Sequence, residues 1–96
     1  MGDLNLPEGF GEWLRLNDDE AITRPAQIQI RADPDEYELG SWWSHRRKDG
    51  HNCGLGRISY RHHVLEHEEP LTIGGSLLCL NCGRHGFVRD GRWVEA

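Results

Sequence analysis

The feature that most constrains the fold is the run Leu-Leu-Cys-Leu-Asn-Cys-Gly-Arg-His-Gly-Phe, residues 77–87, which places Cys79, Cys82 and His85 within seven positions. Cys-x-x-Cys-Gly is the sequence of a tight metal-binding knuckle. The spacing lets both thiolates reach one ion, and Gly83 lets the backbone curl without a Cβ clash. Backbone N–H groups in such a turn also point toward the sulfurs and stabilise their charge. A redox dithiol uses the same spacing, but it needs the pair at a helix N-terminus after a strand. Here a glycine and a hairpin signal follow instead. Two merely buried thiols are the bland alternative.

The chain has reason to need a metal. At 96 residues with 36% hydrophobic content, it reads as one domain with a thin apolar core, and domains of this size often depend on a metal, disulfides or oligomer contacts. Three cysteines cannot pair off evenly, and the charged opening lacks the apolar run of a secretory signal. Leu6 stands where the myristoylation pattern wants Ser or Thr. No apolar segment approaches the roughly 20 residues that span a bilayer. The expected setting is reducing and cytoplasmic, with no membrane partner.

A closed structural zinc site takes four ligands. With three cysteines, at least one histidine must serve if the site is complete within one chain. The second half-site is expected at His51 and Cys53, in a loop ahead of a strand, so the candidates are His51, Cys53, Cys79, Cys82 and His85, with His45 in reserve. Two solutions stay open. Either Cys79 and Cys82 join Cys53 and one histidine, or Cys82 and His85 join Cys53 and either His51 or His45. Cys82 belongs to both. The bland reading of His85 is a hairpin histidine bonded to a backbone carbonyl. His63-x-x-Glu66-His67 matches the pattern of inverted zinc metalloproteases. Its flanks are β-type, Pro70 follows, and the chain is short for a protease cleft, so an exposed polar strand or loop is expected there. The stray letters of a His-Asn-His nuclease also occur, without the helix that such a finger requires.

The remaining sequence reads as β-structure. Residues 1–24 hold no sustained period and are expected as an arm, extended or with one short helical turn at Phe10, Trp13 and Leu14. Residues 25–96 are expected as a single zinc-stabilised β domain. Ala26–Ala32 alternates as a half-buried strand, Asp33–Glu36 reads as a turn, and Tyr37–Trp43 as an aromatic strand. Residues 44–56 form a polar loop, 57–67 a strand, and Leu71–Cys79 another with a bulge or close backbone approach at Gly74-Gly75. Asp90-Gly91 between short apolar-bearing strands predicts a type I′ hairpin, with Arg89 facing Arg92, Val88 facing Trp93 and Phe87 facing Val94. The fold class is mostly β: a small antiparallel sheet of zinc-ribbon type, an irregular N-terminal arm and a C-terminal hairpin.

Residues 71–96 resemble the C-terminal signature of a family of small uncharacterised proteins common in bacteriophage genomes. In that family a Leu-Thr-x-x-x-Ser segment leads into Cys-Gly-x-His-Gly-Phe and a closing Asp-Gly-x-Trp hairpin. The matching positions are Leu71, Thr72, Ser76, Cys82, Gly83, His85, Gly86, Phe87, Asp90, Gly91 and Trp93. The chain departs from the pattern at Gly74-Gly75, where a proline-containing turn is more usual. The resemblance implies a zinc-bearing β domain of phage or prophage origin, in the host cytoplasm or incorporated in a virion. It carries no activity with it.

Charge divides the functional readings. Residues 1–40 hold ten acids and three arginines, a net of −7, while residues 41–96 hold eight bases and six acids, a net of +2. The acidic first part argues against general affinity for nucleic acid or anionic membrane. The leading expectation is a non-catalytic zinc-stabilised module for protein interaction or phage assembly, using Trp42 and Trp43 beside the basic loop. The alternative is a nucleic-acid-binding zinc module using the basic loop 45–57, with Arg46, Arg47, Lys48, Arg57 and Arg84 around the zinc. The third is a zinc hydrolase with an open ligand position and Glu66 as base.

Overall fold

A computed structural model describes residues 4–30 and 32–96. The expectations for Met1–Asp3 and for Arg31 lie outside the described residues. The described chain is all β, without a helix. The strands are β1 (Trp13–Arg15), β2 (Glu20–Thr23), β3 (Ala26–Ile30), β4 (Asp33–His45), β5 (Gly56–Ser59), β6 (Val64–Glu68), β7 (Leu71–Gly74), β8 (Leu77–Leu78), β9 (His85–Arg89) and β10 (Arg92–Glu95). They form three antiparallel sheets: a five-stranded one in which β4 pairs β2, β3 and β5 with β1 outside β2, a three-stranded β10-β9-β8, and the β6-β7 pair.

The first sheet curls around its longest strand. Both β2 and β3 pair β4, so the chain from Glu20 to Ile30 follows one side of it, and β5 takes the other. Along β4 the even and odd positions part company. Trp43 is buried in the core with Ile22, Leu16 and Ile58, while Trp42 turns to the opposite face and meets Phe10 edge-on at 5.3 Å. Of the two tryptophans, one thus fills the core and the other lies on the opposite face, as the period of two in a strand dictates. Gly40 permits this curvature, because a Cβ there would meet the Ile58 carbonyl oxygen at 2.7 Å.

Several boundaries differ from the sequence reading for local reasons. Within residues 1–24 the described chain is extended rather than helical, and Trp13–Arg15 and Glu20–Thr23 are full strands, the latter entirely buried. Buried burial partners, not local period, make them strands. Asp33–Glu36 belongs to β4, with a register shift opposite Gln29 and Ile30 that absorbs the extra residues. The local carboxylate bond expected there is present, since Asp35 N–H donates to Asp33 Oδ1 at 3.1 Å. The strand expected over 57–67 breaks at 60–63. The Ser59 carbonyl accepts from the N–H groups of His62 and His63, and Ser59 Oγ accepts from Arg61 N–H. These side-chain and turn bonds compete with the ladder. The strand expected over Leu71–Cys79 is interrupted at Gly75, whose φ is 83°. A Cβ at Gly74 would meet the Glu66 carboxylate at 2.8 Å and the Val64 carbonyl oxygen at 3.4 Å, and the bulge of this strand pair falls on β6 between Leu65 and His67.

The C-terminal hairpin has the expected register: Arg92 opposite Arg89, Trp93 opposite Val88, Val94 opposite Phe87. Asp90 and Gly91 have φ of 50° and 75°. Its tip is tied to β7, with Gly91 N–H donating to the Leu71 carbonyl and Asp90 N–H to Thr72 Oγ1. Leu71, Ile73, Leu77, Val88 and Trp93 then complete the core from the second and third sheets. Trp93 stacks on Trp43 at 5.4 Å and so joins the hairpin to the first sheet.

Gly86 on β9 sits beneath that stack, where a Cβ would lie 2.5 Å from the Trp93 ring and 2.6 Å from the Val94 carbonyl oxygen. Gly86→Ala should destabilise the fold by about 1–3 kcal/mol through overpacking. Urea unfolding measures it, and an unchanged midpoint would contradict this packing.

Candidate metal centre

The knuckle forms as its sequence requires. After β8 the chain reverses with Gly83 N–H donating to the Cys79 carbonyl and Cys79 N–H to the Arg84 carbonyl, both at 2.8 Å. Gly83 has a φ of 81°, which L side chains rarely adopt. The turn aims amide groups at sulfur. Burial works to raise the Cys79 thiol, but the N–H groups of Cys82 and Asn81 and the neighbouring sulfurs outweigh it and leave the thiol below its ordinary value. Burial together with the sulfurs of Cys79 and Cys53 pushes Cys82 up to about 11, against the N–H of Arg84.

The second half-site comes from the end of β4 and the segment that returns after it. Arg46 and Asn52 pair as an antiparallel bridge. His45 and Cys53 are the next positions along this ladder, and Cys53 N–H donates to the His45 carbonyl at 3.0 Å. Facing residues of such a pair present their side chains to the same side, so His45 and Cys53 turn together toward the knuckle. His45 Nε2 lies 3.2 Å from Cys82 Sγ, and Asn81 Nδ2 lies 3.5 Å from Cys53 Sγ. One ligand atom from each of His45, Cys53, Cys79 and Cys82 lies within 4.8 Å of the other three. Donor–donor edges of a tetrahedron with metal–sulfur bonds of about 2.3 Å are about 3.8 Å, so distances that run from 3.2 Å to no more than 4.8 Å bracket what one ion requires. The three cysteines are all free thiols.

His45 is 1% exposed, and burial lowers its pKa, which keeps the imidazole neutral and able to ligate. Its ring stacks on Trp43 at 4.3 Å, which fixes its plane. Nδ1 is buried without a hydrogen-bond partner, while Nε2 faces the sulfurs. Glu20, the residue opposite His45 on β2, is fully buried and forms an ion pair with Arg84, two positions beyond Cys82. Arg84 also lies over the Trp93 ring and reaches Glu95 at 3.2 Å. The knuckle is therefore anchored to the first sheet by charge as well as by its thiols.

Of the residues expected as ligands, the structure brings Cys53, Cys79 and Cys82 together. It places His51 and His85 elsewhere. His51 is exposed and pairs with Asp49 at 3.3 Å, because it faces Arg47 one rung closer to the loop tip. His85 opens β9, exposed, and its carbonyl accepts from Ala96 N–H at 3.2 Å. The fourth donor is His45, held only in reserve by the sequence reading. The signal that finds it is a hairpin register, eight positions from Cys53, rather than a local spacing. His63 on the turn after β5, and Glu66 and His67 on β6, are not among the four gathered donors, although His63 lines the same cleft as His45, Cys53 and Cys79.

His45→Ala should abolish stoichiometric metal binding, whereas His51→Ala and His85→Ala should keep one equivalent, as read by native mass spectrometry. Arg84→Met leaves the Glu20 carboxylate buried without its cation and should destabilise the fold by about 3–5 kcal/mol. Chemical denaturation checks that figure. Comparison with protein-family models, with curated proteins and with solved structures finds no match for this chain, so the reading of the site rests on its own geometry.

Proposed function

We propose that the chain is a non-catalytic, zinc-stabilised module for protein interaction or assembly, encoded by a phage or prophage. The observation that carries this reading is the closed donor set of His45, Cys53, Cys79 and Cys82. Three thiolates and one imidazole are soft, tetrahedral ligands of the kind zinc takes in structural sites. Four protein donors fill such a coordination sphere and leave no position for the water that a hydrolase would activate. The phage origin rests on the C-terminal resemblance alone.

The ion's part would be to fasten one sheet to another. His45 and Cys53 belong to the first sheet and its extension, while Cys79 and Cys82 follow β8 in the second. A bound zinc would join them across a core that holds few apolar residues, which is how structural sites support small domains. The nucleic-acid alternative has weaker support. Arg46 pairs with Asp19 at 3.3 Å, Arg47 with Asp49 at 3.5 Å, Arg57 with Glu38 at 3.4 Å, and Arg84 with Glu20. Cations already engaged by acids release few counterions on meeting a phosphate backbone.

The test is metal content and coordination. Purified protein should carry one zinc equivalent, and cobalt substitution should give a thiolate-rich tetrahedral spectrum without an exchangeable water. Cys82→Ser should lose the ion and unfold. Removing zinc with a chelator should unfold the wild type too, and more readily at lower pH, because ligand protonation competes with the metal. A chain that keeps its fold and near-UV spectrum after complete zinc removal would overturn the structural role.

A further inference from the structure

The face of the first sheet opposite the metal carries a second feature. The β3 strand ends the sheet, pairing only β4 among the described residues. Its sequence, Ala-Gln-Ile-Gln-Ile, has neither the lysine nor the proline with which native edges usually block further pairing. A cleft of about 710 Å3 is lined by every residue of β3 and reaches across the sheet face to Tyr37 and Trp42 on β4 and Arg57 on β5. Opposite β3 stands the Gly9-Phe10-Gly11 segment, and a Cβ at Gly9 would meet nothing within 4 Å. Trp42 lies on the cleft wall, braced by Phe10 and by Arg57, whose guanidinium lies 5.7 Å from its ring centroid. Tyr37, 56% exposed, lines the cleft as well.

Charge says what such a cleft would take. Glu8 adjoins the Gly9 segment, and Asp35 and Glu36 lie between the lining residues Pro34 and Tyr37. All three acids are exposed, and none has a cationic partner among the described residues. The cation that lines the cleft, Arg57, is already paired with Glu38. An occupant therefore needs backbone groups for a free strand edge, flat apolar groups for the aromatics, and positive charge for the rim.

We propose that the β3 edge and its cleft form a docking site for an extended, basic segment of another protein, added as a further strand. This rests on the reading of the chain as an interaction module and names its surface and the chemistry of its partner. Backbone bonds to β3 supply the register. Aliphatic side chains on one side of the added strand pack on Phe10 and Trp42, and Lys or Arg side chains reach Glu8, Asp35 and Glu36. A second copy of this chain is a poor occupant, because it would bring its own acids to the same rim. A nucleic acid is poorer still for the same reason.

The probe is a capped nonapeptide of alternating Lys and Val, titrated into full-length, isotope-labelled protein whose zinc content is measured on the same sample. Slowed amide exchange and shifted resonances are expected along β3, with binding at least tenfold weaker for a Glu-Val repeat and for a Lys-Val repeat carrying a central proline. Protein bearing Ala26→Lys and Gln29→Lys, both at exposed positions, should keep its zinc and lose at least tenfold in affinity. Binding that ignores those lysines, shifts centred away from β3, equal binding of the Glu-Val peptide, or self-association that buries β3 would each overturn the proposal. Zinc content keeps the two readings apart. A folded chain lacking zinc that still binds the peptide would defeat the structural metal and leave the docking site standing.

Discussion

The structure depends on the stack of His45, Trp43 and Trp93. Trp43 lies between the imidazole and the second indole, at 4.3 and 5.4 Å. One ring belongs to the C-terminal hairpin, the next to the core of the first sheet, and the third to the His/Cys cluster that could hold a metal. Aromatic rings bury more area per residue than any other side chain and add a geometric preference of their own. In a chain this short of aliphatic groups, three stacked rings do work that a larger core would distribute. The stack also restrains the plane of the imidazole, within which Nε2 faces the sulfur of Cys82.

The polar side of the same arrangement is the Glu20–Arg84 pair. A fully buried carboxylate is expensive to desolvate and is tolerated only beside a well-placed cation. Here the cation comes from the knuckle itself, so the first sheet and the Cys79–Cys82 turn are mutually dependent. The two faces of the first sheet then separate in character. The inner face holds tryptophan, thiols and a paired charge. The outer face holds half-covered aromatics and, among the described residues, an edge that pairs only β4 and acids without a cationic partner.

Much of the periphery was legible in the sequence. The hairpin at Asp90-Gly91 followed from two residues that accept positive φ, and its register followed from the turn length. The knuckle followed from Cys79, Cys82 and Gly83. Residues 20–23 were not legible as a strand, because Glu-Ala-Ile-Thr alternates weakly and is strand by virtue of pairing β1 and β4 and burying all four residues. The turn at 60–63 was hidden for the converse reason. Its residues suit a strand, and Ser59 stops them through hydrogen bonds that no composition reveals.

The candidate site divides along the same line. Sequence alone put Cys79 and Cys82 in one turn, pointed to the His51–Cys53 segment for a second half-site, and required a histidine for any complete four-donor set within the chain. These are consequences of spacing and of counting thiols. Tertiary structure decided which histidine. His51 is two residues from Cys53 and His45 is eight, yet the Arg46–Asn52 bridge sets His45 opposite Cys53 and carries His51 outward to Asp49. Proximity along a chain and proximity across a hairpin are different quantities, and the second exists only once the strands have paired.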